Sequence, residues 1–279
     1  MHSTLQDTIT PELLAKNWNI GIEAARRTVE STTQRGSRQI LHPKLNRRFP
    51  TNDRHLRYRR LNGRIFADNM MSKVISKRKN KYAHILGTSE GWCRAFPIKR
   101  EADSHEALSL LFHRDGAPDK IIADGAKVLQ AGKYRAKCKE ADVYCRSPEP
   151  YSPWMNAAEG TIRELKKGSG RKMIATGSPK CLWDDCIELE AYICSHTAHD
   201  IYNIQNSVPE TMMTGQIPDI SVYGKYHWWQ WVKFYDENAK YPEDRQKLGK
   251  WLGPSLDIGP KHCSKILKEN GNYRFLTTF

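Results

Sequence analysis

Between residues 64 and 123 the chain writes three strand-like runs, then one amphipathic helix, then a fourth short apolar run, and few architectures accept that order. The runs 64–70, 81–87 and 91–98 are short, apolar and aromatic, and Thr88-Ser89-Glu90-Gly91 supplies a hairpin turn between the last two, so the three read as antiparallel strands. Residues 104–114 place Ala107, Leu108, Leu111 and Phe112 on one helical face, with Ser104 as the expected N-cap. Lys120-Ile121-Ile122-Ala123 then forms a short buried strand. The alternation is that of an α/β domain.

Three carboxylates occupy the punctuation points of this pattern. Asp68 follows the strand-like Arg64-Ile65-Phe66-Ala67, Asp124 ends the strand 120–123, and Glu159 opens a helix after Asn156-Ala157-Ala158. Between Asp124 and Glu159 lie 34 residues. The interval alone says little in a chain with 31 acids, but each of the three sits at a strand end, turn or helix start. Two divalent cations about 3.5–4 Å apart can activate an attacking oxygen and stabilise a leaving one when carboxylates from separate elements converge on them. Hard oxygen donors of this kind suit Mg²⁺.

On these residues the chain resembles the integrase catalytic cores of retroviruses and LTR retrotransposons, whose D…D(about 35)E signature lies on an RNase H-like fold. The resemblance runs from about Arg64 to Lys167. Asp124 stands within Gly116-Ala117-Pro118-Asp119-Lys120-Ile121-Ile122-Ala123-Asp124-Gly125, and Pro150 to Glu159 is similar to the family's P-x-x-x-x-x-N-x-x-x-E habit. Asn206-Ser207-Val208-Pro209-Glu210-Thr211 and Thr214-Gly215-Gln216-Ile217-Pro218 look like the T-P-x-E…G-x-x-P stretch of copia-type elements. The resemblance implies a mixed five-stranded sheet with flanking helices, Asp68, Asp124 and Glu159 as catalytic residues and metal ligands, and two Mg²⁺ or Mn²⁺ ions as cofactors. It implies 3′-end processing and strand transfer on double-stranded DNA, by a homo-oligomer. One residue fewer than the usual 35 lies between the last two acids, a departure that loop residues absorb. A DDE transposase of a DNA element and a catalytically inactive DNA-binding or scaffold protein are the alternative readings.

Around the core the sequence suggests three further segments, giving boundaries at 1–35, 36–63, 64–222 and 223–279. Thr10-Pro11-Glu12 starts a helix, with Thr10 as N-cap and Pro11 in the first turn, and Leu13, Leu14 and Trp18 give it an apolar side. After the turn Asn19-Ile20-Gly21, residues 22–33 form a second helix with Ala24, Ala25 and Val29 inward and Arg26 and Arg27 outward. The pair has helix-turn-helix proportions, in which Arg26 and Arg27 would meet DNA; a helical hairpin that only packs is the other reading. Segment 36–63 is basic, with Asp53 its only acid, and reads as an arm whose Arg47 and Arg48 lie along phosphates or as a solvated linker. The family's N-terminal zinc module is absent, since no cysteine precedes Cys93. Short strands with Gly and Pro turns after Tyr223, including the hairpin signal Asn270-Gly271, suggest a small SH3-like β-barrel, which in the family binds DNA without sequence preference.

Charge agrees with a polyanionic partner. Forty-five Lys and Arg against 31 Asp and Glu leave +14, and neutralising phosphates releases condensed counterions. On the helix after Glu159, Arg163 and Lys166 lie one and two turns further along and would project beside the metals. In the proline-rich loop before it, Tyr151 or Trp154 could stack on an unpaired base. Cys181, Cys186, Cys194, His196 and His199 lack a C-x₂₋₄-C pair, and an amphipathic helix over 183–198 would scatter them. No phosphate-cradling or dinucleotide glycine motif occurs, so a nucleotide cofactor has no support. No apolar run reaches membrane-spanning length and no signal peptide opens the chain, so a soluble, intracellular protein of nucleus or cytoplasm, without a membrane partner, is expected. Seven cysteines at irregular spacings fit a reducing compartment.

Overall fold

The computed structural model describes residues 8–34, 58–123, 129, 132–147, 157–200, 204, 206–236, 239, 241–242, 244–256, 258 and 263–277. Within them lies an α/β arrangement with two separate sheets. The first has five strands: β1 (Arg60–Met71), β2 (Tyr82–Gly87), β3 (Cys93–Ile98), β4 (Ala117–Ala123) and β5 (Tyr144–Arg146). Their order is β3-β2-β1-β4-β5. The first three are antiparallel neighbours, as the hairpin signals require, whereas β4 pairs parallel to β1 and β5 parallel to β4. Parallel pairing needs a crossover, and the helices α3 (Ser104–Arg114) and α4 (Gly132–Glu140) supply it.

Alternation along β1 sorts its side chains to two faces. Ile65 and Ala67 join Leu86, Phe96, Ile121 and Ala123 against Leu108, Leu111 and Phe112 of α3 and Tyr134 and Cys138 of α4. Met70 belongs to the opposite face, with Ala83, Ile85 and Ala95, under α5 (Ala157–Thr176) and α6 (Trp183–His196). Asp68 pairs with Ile85 and, two residues from Met70, lies on that second face. β1 begins at Arg60, earlier than the run 64–70 announces, because Arg60 and Leu61 pair with Ala117 and Pro118 before an irregularity at Leu61/Arg64. Ser104 is the first residue of α3 rather than its N-cap; its hydroxyl oxygen lies 2.6 Å from Glu101 O and 3.1 Å from Asn69 Oδ1.

Helix α6 is amphipathic in neither the expected sense nor any other. All its residues except Glu188 and Cys194 are buried, since Trp183, Ile187 and Ala191 face the first sheet while Cys186, Leu189, Tyr192 and Ile193 face a second core. That core also takes in Leu14 and Trp18 of α1 (Pro11–Trp18), Ala25 of α2 (Ile22–Ser31), and Val232, Phe234, Trp251 and Ile266. The last four belong to an antiparallel sheet of order β6-β7-β8-β9: β6 (Trp231–Tyr235), β7 (Gln246–Pro254), β8 (Cys263–Lys268) and β9 (Tyr273–Thr277). Among the described residues β6 and β9 are not paired to each other, so the sheet is open there rather than a closed barrel. The hairpin at Asn270-Gly271 forms as its sequence requires, with Gly271 at φ 78°.

The N-terminal helices follow their signals closely. Thr10 Oγ1 accepts the Leu13 N–H at 3.3 Å, and Asn19 closes α1 at φ 57°. Leu13 is 37% exposed rather than part of the apolar side. Trp18 Nε1 donates to Tyr223 O at 3.0 Å and Asn17 Nδ2 to Gly224 O at 2.8 Å, which fastens the pair to α8 (Ser221–Gly224).

Two buried charge networks hold the layers in place. On α6, Asp184, Asp185 and Glu188 receive Arg78 from the β1–β2 connection at 2.9–3.5 Å, and Asp185 and Glu188 also receive Lys265 of β8 at 2.8 Å and 3.2 Å. Burial pushes the Glu188 carboxyl up, yet Lys265, Arg78 and Arg114 hold it down at about 2. In β3, Arg94 is 2% exposed and pairs with Asp115 and with Glu210 of α7 (Pro209–Thr214), each at 2.8 Å.

Candidate active site

Asp68 stands on the central strand, half-buried, and its Oδ1 accepts the Asn69 backbone N–H at 2.6 Å. The neighbouring strand brings the second acid's segment alongside: Ala67 pairs with Ala123, so the residue before Asp68 lies beside the residue before Asp124. Asp124 itself lies outside the described residues.

Glu159 occupies the first turn of α5, where the helix dipole favours a negative charge. It is exposed and, among the described residues, makes no salt bridge. Two contacts set this helix on the Asp68 face of the sheet. Ile162 packs against the cluster that contains Met70, Ala83 and Ile85, and Thr161 reaches the end of β2, where a Cβ on Gly87 would fall 2.7 Å from Thr161 Oγ1. Only glycine at the end of β2 lets the first turns of α5 come so close, and Gly87 pairs with Phe66, two residues from Asp68. Two of the three expected acids therefore stand on elements packed against each other, on one face of the sheet.

The expected DNA contacts divide. Arg163 and Lys166 are exposed on α5, Arg163 80% so, and Arg163 has Glu164 at 4.0 Å as its ion-pair partner among the described residues. Arg26 is exposed and ion-paired to Glu23 at 3.1 Å, while Arg27 is engaged by Asp200. Arg47, Arg48 and Tyr151 lie outside the described residues. Stepping by four from Arg163 gives Lys167 and Arg171, also exposed on α5; helical spacing makes this basic row legible in the sequence.

The cysteine and histidine group takes structural posts. Cys186 Sγ donates to Ser169 O at 3.6 Å and His196 Nδ1 lies 2.7 Å from Tyr192 O. Behind Asp68, the buried His84 lies 2.7 Å from Asn69 Oδ1 and 3.1 Å from Tyr134 Oη, and burial holds its imidazole neutral, with a pKa of about 3. Sequence reading missed this chain of polar groups. Its signal is a histidine amid the apolar run Ala83-His84-Ile85-Leu86, directly opposite Asn69. Among the described residues no helix is long and apolar enough to cross a membrane. No protein-family model matches this chain, and no curated protein is significantly similar to it.

Proposed function

We propose that the chain is a DDE-type polynucleotidyl transferase, the integrase of a retrotransposon of copia type. The observation that carries the reading is the pairing of Ala67 with Ala123, next to Asp68 on a strand packed against α5, which carries Glu159 in its first turn. It asks Asp124 to stand beside Asp68 and Glu159 to reach both. The strand order β3-β2-β1-β4-β5, three antiparallel strands followed by two parallel ones with helices on both faces, supports reading the domain as RNase H-like. The four-stranded C-terminal sheet supports an SH3-like module in open form.

The donor set fits the metals that this reading requires. Asp68 and Glu159 offer carboxylate oxygens, the hard donors that Mg²⁺ takes, from two elements packed together. Asp68, Asp124 and Glu159 would hold two Mg²⁺ or Mn²⁺ ions, which when bound would polarise the scissile phosphodiester and acidify the attacking hydroxyl. Asp68, tied through Oδ1 to the Asn69 N–H, is held in one orientation. Arg163 and Lys166 carry positive charge along the helix leading away from Glu159 and would seat the DNA backbone. Water first cuts near the element's 3′ end. The freed 3′-hydroxyl then attacks a target phosphodiester in line, so one P–O bond forms as another breaks and no covalent enzyme intermediate is needed.

The test is Mn²⁺-dependent end processing and strand transfer by the native chain and by Glu159→Gln. Loss of both reactions with DNA binding nearly intact is the expected result. Equal loss of binding, or retained cleavage, would remove Glu159 from the chemistry.

A further inference from the structure

Two cysteines meet at the edge of the first sheet. Cys138 lies in the last turns of α4 and Cys145 in the middle of β5, the edge strand. The turn between them is tight: the Val143 N–H donates to Cys138 O at 2.8 Å, and Asp142 takes φ 53° to bring the chain round. Cys145 then packs on the cluster that holds Cys138, and the Cys138 thiol donates a hydrogen bond to the Cys145 sulfur.

The two thiols differ as an attacking and a resolving group must. Cys138 is 1% exposed, whereas Cys145 is only part-buried. The hydrogen bond from Cys138 favours a thiolate at Cys145 more than burial opposes it, and Arg135, one turn before Cys138 on α4, adds its positive charge, so the Cys145 pKa falls to about 7. A second pair of neighbouring thiols provides the contrast. Cys194 of α6 donates to Cys93 of β3, and that bond, burial and the Glu190 carboxylate push the Cys194 thiol up; Cys93 is itself 2% exposed. Of the two pairs, the first alone joins an accessible thiolate to a protonated thiol at its side.

We propose that Cys138 and Cys145 are a reversible modification site, a dithiol that a hydroperoxide oxidises to a disulfide, with Cys145 as the attacking thiol and Cys138 as the resolving one. The Cys145 thiolate attacks the terminal peroxide oxygen, so an S–O bond forms as the O–O bond breaks, leaving a sulfenic acid and a hydroxide or alkoxide. The Cys138 sulfur then displaces the sulfenic oxygen. The S–S bond forms, the S–O bond breaks, and the Cys138 proton leaves with the hydroxyl as water. Each sulfur gives up one electron and the peroxide takes both. A small thiol reverses the step by exchange, so in a reducing compartment the bond is transient, as redox-sensing disulfides are. When formed it ties α4 to a strand that is joined to β4 through three residue pairs.

Thiol mapping of the full chain, metal-free in EDTA, tests this without requiring catalysis, so its failure leaves the DDE reading untouched. The chain is exposed to a small excess of hydrogen peroxide at neutral pH, quenched with N-ethylmaleimide and digested with trypsin, which cuts after Lys139 and so separates the two cysteines. The expected product joins peptides 138–139 and 140–146, precedes any link between Cys93 and Cys194, and disappears with dithiothreitol. Cys138→Ala should lose the link and let dimedone trap a sulfenic acid at Cys145; Cys145→Ala should lose the link and leave Cys138 unlabelled by dimedone. Circular dichroism checks that the variants fold, and the native chain carries the test if they do not. Absence of the 138–145 link, a Cys93–Cys194 link that forms first, or dimedone labelling of Cys138 in place of Cys145 would overturn the proposal.

Discussion

Replacing Glu210 by alanine probes the charge network that joins α7 to the first sheet. Arg94 Nη2 donates to Glu210 Oε2 at 2.8 Å, Trp92 Nε1 donates to the same oxygen at 2.9 Å, and Asp115 holds the other side of the guanidinium at 2.8 Å. Burial pushes the Glu210 carboxyl up, but Arg94, His196 and Trp92 together bring it below its ordinary range, so the site keeps the charge. Removing one partner of a buried pair costs about 3–5 kcal/mol. Asp115 still neutralises Arg94, which places Glu210→Ala at the lower end, about 3 kcal/mol. Glu210→Gln keeps an acceptor for the Trp92 N–H and loses only the charge, for roughly 1–2 kcal/mol. Urea unfolding followed by far-ultraviolet circular dichroism reads this directly: at an m-value of about 3 kcal/mol/M the alanine variant should lose about 1 M in midpoint with m unchanged. A loss below about 1 kcal/mol, the size of a surface pair, would refute the reasoning and return Val208-Pro209-Glu210 to the status of an unexplained motif.

Three further outcomes follow from buried groups. His84 titrates at about 3 in the fold because burial disfavours its charge. The unfolded chain takes up that proton first as pH falls below about 6.5, so stability present above that pH is lost towards pH 3 with a slope of about 1.4 kcal/mol per unit; if His84→Gln has the same slope as the native chain, histidine burial is not its source. Gly168→Ala would set a Cβ 1.9 Å from Glu190 Oε1, within the buried Lys172–Glu190 pair. The gain of about 1 kcal/mol in helix propensity should lose to an overpacking cost of about 1–3 kcal/mol, and a raised melting temperature would contradict that balance. The hydrogen bond from Cys138 holds the Cys145 thiol down at about 7, whereas Cys138, supporting its partner and buried, is pushed up. Iodoacetamide should therefore label Cys145 with a rate rising through neutral pH and spare Cys138, and mass spectrometry finding the reverse would count against the pairing.

Where local chemistry decides structure, the sequence was readable. Thr10 caps, Pro11 opens, Asn270-Gly271 turns, and the three antiparallel strands lie close to where apolar runs and hairpin residues put them. Where packing from two sides decides, it was not. Helix α6 reads as amphipathic only if one of its faces meets water, and here both meet protein. Helix α4 went unread because just Tyr134 and Cys138 of its Lys-rich run are buried, and β5 because three residues on a sheet edge carry almost no pattern. The lone Arg94 in the apolar Trp92-Cys93-Arg94-Ala95-Phe96 was a signal of a buried charge awaiting partners, but nothing local names Asp115 and Glu210. Of the site, Asp68 and Glu159 lie on elements the sequence already separated, and their shared face follows from strand alternation plus the close approach that Gly87 permits.

Anomalous diffraction from crystals soaked in Mn²⁺ tests whether the three carboxylates meet. The account predicts two manganese peaks about 3.5–4 Å apart, with oxygens of Asp68, Asp124 and Glu159 among their ligands. Manganese bound elsewhere, or bound by Asp68 with Glu159 turned away, would contradict it.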